Sequence, residues 1–276
     1  MMKNSLKPVL FIPIASLCVV TSILCVGCGQ KASSSTSNKR VTSVSATATE
    51  KSDKPISLPT GKASSTVMDS EDPNREYAME LDTDSDYNKL AMNLSQLVSD
   101  SDLIVKIKVK AVKSFVNDNG MIQTEVTPEV LKTLKGNYDG QKMYVNGGEM
   151  LYSEYTANEI IQKSLAGHED PSGNAAQKYV KQTVDNQYIL TPGEEYIFFA
   201  QKRADSGLYF STYAYQGTFK LTNGKVENQA ITKDSLLKDI EKSMNGSGKV
   251  LKAANPGSGT PSFEESGFEK LLVSYQ

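Results

Sequence analysis

Hydrophobic and polar residues alternate with a period of two along several stretches of the chain, and this pattern predicts β-strands. The clearest stretch is 103–116, where Leu, Val and Ile alternate with lysines. The Asn-Asp-Asn-Gly sequence at 117–120 predicts a hairpin turn, because Asn and Gly adopt positive φ at low cost. A return strand is expected at 121–134, with Pro128 at an edge or a bulge, and a short strand at 142–145.

The alternation resumes in the second half of the chain. A strand is predicted at 195–202, and its residues 196–200 are apolar on both faces, which is typical of a central strand covered on each side. Three further strands are predicted to complete a meander, at 208–215, 217–222 and 225–231.

Apolar residues recur at helical spacing on either side of this β-rich region, which predicts helices at 86–99 and 232–245. Between the two groups of strands, residues 149–187 break the alternation. There we expect a helical insert, with helices at 152–165 and 175–183.

This order of elements predicts an α+β, mostly β fold. The expected architecture is a small antiparallel barrel with a helical insert and flanking N- and C-terminal helices, in a globular domain at 76–246. Residues 247–276 are rich in Gly, Pro and Ser and are expected to form a tail, with a short helix at 268–273.

The N-terminal region carries a targeting signal. Residues 9–26 are almost wholly apolar and follow a start that contains two lysines and no acidic residue, as in an export signal. The sequence Leu24–Cys28 (LCVGC) resembles the lipobox of bacterial lipoproteins. That resemblance implies a signal peptide at 1–27 and a diacylglyceryl group on the Cys28 sulfur. The alternative is an uncleaved membrane helix, since the run is close to the roughly 20 residues that span a bilayer.

Both interpretations place the rest of the chain at the extracellular face of the membrane, attached through its N-terminus. Residues 28–75 are rich in Ser, Thr and Lys, so we expect a flexible linker after the lipid anchor. All three cysteines lie in the leader, so the predicted domain has no disulfide. The leader also holds two of the 30 basic residues and none of the 32 acidic ones. The remainder is therefore mildly acidic, which argues against nucleic acid as a partner.

Three short segments resemble the OB-fold barrels of the netrin and metalloprotease-inhibitor type. They are Ser101–Val105 (SDLIV), Val130–Gly136 (VLKTLKG) and Pro192–Phe199 (PGEEYIFF). The chain also resembles uncharacterised lipoproteins of Gram-positive bacteria with that plan. The resemblance implies an OB-like barrel over about 95–231. It does not imply protease inhibition, because the animal inhibitors rely on cysteines that this domain lacks and on a free N-terminus.

Few residues are suited to catalysis or metal binding. His168 is the only histidine and is expected in a solvated loop, and none of the common hydrolase or nucleotide-binding motifs is present. The run Asp82–Asp86 begins like a calcium loop but has Tyr87 and Asn93 where Gly and an acid are required. We therefore expect no metal and no cofactor, and interpret these acids as the start of a helix.

Aromatic residues of the predicted strand 208–215 are the candidate ligand-binding residues. Tyr209, Tyr213 and Tyr215 share one face of that strand, opposite Phe210. If the Phe210 face is core, the tyrosines form an exposed platform for sugar rings or a peptide. The alternative is that the tyrosine rings pack in the core.

The sequence thus predicts a lipid-anchored, non-enzymatic envelope protein that binds a protein, a peptide or a wall glycan. The alternative is an extracellular hydrolase with a carboxylate or Ser/Lys site in the 147–187 insert.

Overall fold

The computed structural model describes residues 64–70, 72, 74–84, 89–166, 174–246 and 260–276. The predicted leader, Cys28 and His168 lie outside these residues. The strands are β1 (Ser65–Met68), β2 (Tyr77–Thr83), β3 (Leu103–Val116), β4 (Ile122–Lys135), β5 (Met143–Asn146), β6 (Gly148–Leu151), β7 (Tyr179–Val184), β8 (Glu195–Lys202), β9 (Tyr209–Ser211), β10 (Thr218–Thr222), β11 (Lys225–Glu227) and β12 (Ser262–Glu264). The helices are α1 (Leu94–Ser99), α2 (Tyr152–Thr156), α3 (Glu159–Leu165), α4 (Ser235–Gly246) and α5 (Glu265–Ser274).

Five strands close into a barrel in the order β3–β4–β5–β9–β8, with β8 returning to pair with β3. The prediction of a mostly β, α+β fold with a barrel is confirmed. The prediction that the barrel is antiparallel is wrong, because β5 and β9 run parallel. A closed ring with an odd number of strands cannot alternate in direction all the way round, so at least one pair must be parallel. The barrel is therefore mixed.

Two strands have the bounds that the sequence predicts, namely β3 and β8. The predicted bulge is also present: the β3–β4 register shifts between Val109 and Ala111, where Val109 lies opposite Pro128. Proline cannot donate to a strand ladder, so a position beside a bulge suits it.

Strand β8 is covered on both sides, as predicted. Tyr196 and Phe198 face the barrel interior, whereas Ile197 and Phe199 face a second core beneath the helices. All four side chains are fully buried. Strand β8 is thus the wall that the two cores share.

The second core is formed by α1, α4 and α5 with the sheet that β8 continues through β10, β11 and β12. Phe268 of α5 packs against Phe219 and Phe263, with ring centroids 5.1 and 6.1 Å apart. Both β12 and α5 lie in the range predicted as a tail, and their side chains belong to this core.

The insert differs most from its prediction. A helical segment was expected at 149–187, but β6 and β7 join β2 in a separate three-stranded sheet of order β2–β7–β6. The predicted helix at 152–165 is divided into α2 and α3, because the Asn158 side chain accepts a hydrogen bond from Ile160 N and starts a new helix. The predicted helix at 175–183 is wrong: it is a 3₁₀ turn followed by β7, in which alternate residues are buried.

Two other elements are shorter than predicted. The helix expected at 86–99 begins only at Leu94, where Asn93 accepts a hydrogen bond from Gln96 N at 2.8 Å and caps the helix. The strand expected at 208–215 ends at Ser211, because Tyr213 and Ala214 have positive φ angles that no strand contains.

Strand β1 lies within the range that the sequence assigned to the linker. It pairs antiparallel with the end of β3, so that Ser65 is opposite Phe115 and Met68 is opposite Val112. Thr66 also accepts a hydrogen bond from Leu151 N at 2.8 Å, which ties β1 to the end of β6.

Gly147 and Gly148 connect the barrel to the three-stranded sheet. Gly147 separates β5 from β6 and Gly148 begins β6, with φ angles of +78° and +143°. A Cβ atom on Gly148 would overlap the Thr124 hydroxyl and lie 3.0 Å from the Ser114 hydroxyl, and one on Gly147 would lie 2.7 Å from the Gln182 carbonyl oxygen. This connection therefore requires glycine for backbone conformation and for space.

We expect Gly148→Ala to lower the free energy of unfolding by about 3 kcal/mol or more, because backbone strain and overlap with a buried hydroxyl act together. Gly193→Ala is the matched control, since Gly193 has φ +91° but nothing within 4 Å of an added Cβ. It should cost only the strain of about 1–2 kcal/mol. Urea denaturation of the full chain measures both variants, and equal losses would contradict the argument.

Candidate functional site

The strand register decides which side chains of the barrel lie inside. Alternate residues fill the interior, among them Val112, Val126, Met143 and Tyr209. Side chains of the opposite parity on the same four strands lie outside, among them Phe115, Gln123, Tyr144 and Phe210.

This register separates the three tyrosines proposed as a platform. Tyr209 is 3% exposed inside the barrel, and Tyr215 is buried in the core beneath the helices. Tyr213 packs against the helix-side core and donates a hydrogen bond to the Asp100 carboxylate, with the Lys89 ammonium 5.4 Å from its ring centroid. The exposed tyrosine face is therefore not formed, and burial supports the alternative that these rings pack in the core.

The outer face of the barrel instead carries Phe210, the ring that the platform interpretation placed in the core, together with two further rings. Phe210 stacks on Tyr144, with centroids 5.3 Å apart and planes at 21°, and Phe115 meets Tyr144 edge to face at 6.3 Å. We call Phe115, Tyr144 and Phe210 the outer aromatic stack. Phe115 and Tyr144 are nearly covered, while Phe210 is half-buried. The stack spans β3, β5 and β9, and Leu208 packs against it.

Arg203 lies on the outer aromatic stack. Its guanidinium carbon is 4.2 Å from the Phe210 ring centroid. The turn between β8 and β9 fixes the base of the side chain, since Arg203 N donates to Leu208 O at 2.9 Å and Gly207 N donates to Arg203 O at 2.8 Å. Burial lowers the pKa of the guanidinium below its ordinary value, and Asp205 opposes that effect.

Polar side chains border the stack on β4. Glu125 accepts hydrogen bonds from Tyr144 Oη and Lys142 Nζ, both at 2.9 Å. Burial and then this hydrogen bond raise the pKa of Tyr144, so the phenol stays protonated at neutral pH. Gln123 lies opposite Phe115, and its buried Nε2 has no acceptor among the described residues. A buried donor without an acceptor is costly, and functional sites are one place where such groups persist.

A second charged surface lies where β8, β10 and α5 meet, around an open depression of about 420 Å³. Its three carboxylates all have lysine partners. Lys106 binds Glu265 at 2.6 Å and Glu195 at 3.2 Å, and Lys220 pairs with Glu194. Each carboxylate of this depression is therefore already paired within the protein, with Lys106 shared between two of them.

The insert contains one nearly buried carboxylate, Glu149 on β6. It forms an ion pair with Arg75 and accepts a hydrogen bond from Tyr77 Oη at 2.6 Å, and the two charged side chains are each 10% exposed. Arg75 also lies 4.8 Å from the Tyr179 ring centroid. Burial lowers the pKa of Arg75, but Glu149 more than offsets it, so the pKa stands above its ordinary value. The cluster joins β2, β6 and β7.

Asp82 and Asp84 do not start a helix as predicted, and Asp86 lies outside the described residues. Asp82 lies in β2 and Asp84 follows it, whereas α1 begins ten residues later. Within the described ranges, no group of three or more His, Cys, Asp or Glu side chains is placed to hold a metal ion. Nor does this part of the chain include a helix that is long and apolar enough to cross a bilayer.

Sequence reasoning missed Arg203. The one available signal is composition: the chain contains three arginines, Arg40, Arg75 and Arg203, among many lysines. Arginine binds planar anions and stacks on rings better than lysine does, so its use in a lysine-rich chain is informative.

Comparison with protein-family models, with curated proteins and with solved structures finds no match to this chain. The functional argument therefore rests on the residues described above.

We expect Glu149→Gln to lower the free energy of unfolding by about 3–5 kcal/mol, because Arg75 is left buried without a counter-charge. Replacing both residues with Met should recover much of that loss. Glu80→Gln is the control, since Glu80 is an exposed partner of Lys181 at 3.7 Å and should cost under about 1 kcal/mol. Urea denaturation measures all three variants. Similar losses in the free energy of unfolding for the two Glu→Gln variants would contradict a stabilising role for the buried Arg75–Glu149 pair.

Proposed function

We propose that this chain is a non-enzymatic, lipid-anchored envelope protein whose barrel binds a protein, a peptide or a wall glycan through the outer aromatic stack and Arg203. The observation that carries the proposal is a half-buried ring, Phe210, on the outer side of a barrel strand, with an arginine stacked on it. Aromatic and arginine side chains together are the residues most enriched at the energetic centres of binding surfaces.

The strand order supports an OB-like identity for the barrel. Numbered within the barrel, its strands follow the order 1-2-3-5-4-1, with the third and fifth parallel. That connectivity agrees with a five-stranded Greek-key barrel of the OB type. Fold alone does not give function, so this identity supports the architecture and leaves the function to the surface residues.

The anchor is proposed from the sequence. The apolar run at 9–26 ends at a Gly-Cys pair, and no cysteine follows Cys28. The acylated Cys28 would hold the protein at the outer face of the cell membrane, where two or three acyl chains give stable attachment.

The hydrolase alternative has weaker support. Its site was expected in the 147–187 insert, where Glu149 is already bound by Arg75 and Tyr77. Each oxygen of that carboxylate already has a partner, so the group links the strands of the sheet.

We expect Phe210→Ala to abolish most crosslinking of the protein to its envelope partner on intact cells, because the variant removes the most exposed ring of the stack. Circular dichroism checks the fold, and Phe210→Leu replaces it if Phe210→Ala does not fold. Val273→Ala, a 60% exposed apolar position on α5, is the control and should crosslink normally. Undiminished crosslinking of a folded Phe210 variant would show that the partner binds elsewhere.

We expect Cys28→Ser to lose all label from a fatty-acid analogue and to be released from the membrane fraction, because the thioether cannot form. Cys25→Ser should remain labelled, since its sulfur precedes the predicted cleavage position. Label retained in the Cys28→Ser protein would refute the lipid anchor.

A further inference from the structure

Arg203 differs from three other partly buried cations in forming no ion pair within the described ranges. Arg75 pairs with Glu149, Lys106 with Glu195 and Glu265, and Lys220 with Glu194. The Arg203 guanidinium has neither an ion pair nor a hydrogen bond within the described ranges, although Asp205 is only two residues away. A half-buried cation without a partner is costly, and a bound anion would offset that cost.

The geometry of the stack limits what Arg203 can bind. One face of the Phe210 ring is taken by Tyr144, and the guanidinium also lies within 4.2 Å of the ring centroid. Little ring surface remains on which a sugar could stack. A guanidinium whose face stacks on a ring keeps its N–H groups free, because they lie in the guanidinium plane. Two parallel N–H donors in that plane match the two oxygens of a carboxylate.

The charge pattern favours a single anionic group. Arg203 is one cation beside apolar Phe210 and Leu208, and the whole chain has a net charge of −2. A polyanionic polymer needs several cations in a row and would be repelled by an acidic protein. One carboxylate in otherwise apolar surroundings is the chemistry of a peptide or protein segment.

We infer that Arg203 binds a carboxylate of a protein or peptide partner, through in-plane hydrogen bonds from a guanidinium that the outer aromatic stack holds in place. This inference rests on the proposed function, because it names the ligand chemistry of the same surface. The carboxylate belongs either to an acidic side chain or to a chain terminus.

Nuclear magnetic resonance of the full chain tests this directly. The sequence has three arginines, so the Nε–Hε region holds three side-chain signals, and Arg203→Lys identifies the signal of Arg203. Benzoate is the probe, since it joins a carboxylate to an apolar ring, and benzamide is its uncharged analogue. We expect benzoate to shift the Arg203 signal saturably, benzamide to leave it in place, and the paired Arg75 signal to be unaffected.

Two capped peptides distinguish the sources of the carboxylate. Acetyl-Gly-Glu-Gly-amide has only a side-chain carboxylate, and acetyl-Gly-Gln-Gly has only a terminal one, so a shift with either supports the inference. Lys202→Gln is the control variant, because Lys202 is the neighbouring cation and already pairs with Asp139. It should keep the full benzoate response.

Three results would overturn the inference. They are an Arg203 signal that benzoate does not move, an equal response to benzamide, and a stronger response to polyglycerol phosphate than to benzoate. Failure of the proposed function is separate, since it shows as undiminished envelope crosslinking in the Phe210 variants. If the Phe210 variants lose crosslinking and benzoate does not shift the Arg203 signal, the proposed binding function stands. Only the assignment of a carboxylate ligand to Arg203 is then refuted.

Discussion

The architecture depends on the close contact at Gly147 and Gly148, where the chain leaves the barrel and enters the three-stranded sheet. Gly148 lies against the hydroxyls of Ser114 and Thr124, which are hydrogen-bonded to each other at 3.0 Å inside the barrel end. Thr124 also donates to the Gly147 carbonyl oxygen at 2.7 Å. A side chain at either glycine would push the two sheets apart, so β5 and β6 can be consecutive only because these positions have none.

Polar side chains complete the junction between the two sheets. Gln182 of β7 accepts a hydrogen bond from Ile122 N at 2.6 Å and donates to Thr83 Oγ1 at 2.9 Å, so one residue links β4 to β2. Gln187 donates to the Asn146 carbonyl oxygen at the end of β5. These buried polar groups are paired, and paired groups of this kind fix one arrangement of packed elements. Holding β5 in place also holds Tyr144, and with it the centre of the outer aromatic stack.

How far the sequence predicts this structure depends on how local each signal is. Strands β3 and β8 have their predicted bounds because β3 alternates apolar residues with lysines over 105–110 and β8 has a central apolar run at 196–200. The barrel could be predicted from the order of elements. Its parallel β5–β9 pair could not, because it follows from the odd number of strands in the closed ring, which no single segment encodes. Strand β7 was missed because Val180 and Val184 are four residues apart, a spacing that also suits one face of a helix, and the buried residue between them is the polar Gln182. The tyrosine platform was wrongly predicted for a similar reason. The sequence shows which residues of the strand share a face with Phe210, but the partner strands decide which of the two faces lies inside the barrel.

The pairing of β1 with β3 would have a mechanical consequence if the protein is held at Cys28, as we propose. Among the described residues, tension along the chain from the membrane would load the Ser64–Glu154 hydrogen bond and then the Ser65–Phe115 pair of β1 and β3. Phe115 belongs to the outer aromatic stack, so the strand that bears the load also carries part of the proposed binding surface. Four residue pairs hold β1 in place. A force on the bound partner would therefore strain the β1–β3 ladder next to the outer aromatic stack. The same force would load the bound partner and the attachment of β1 together.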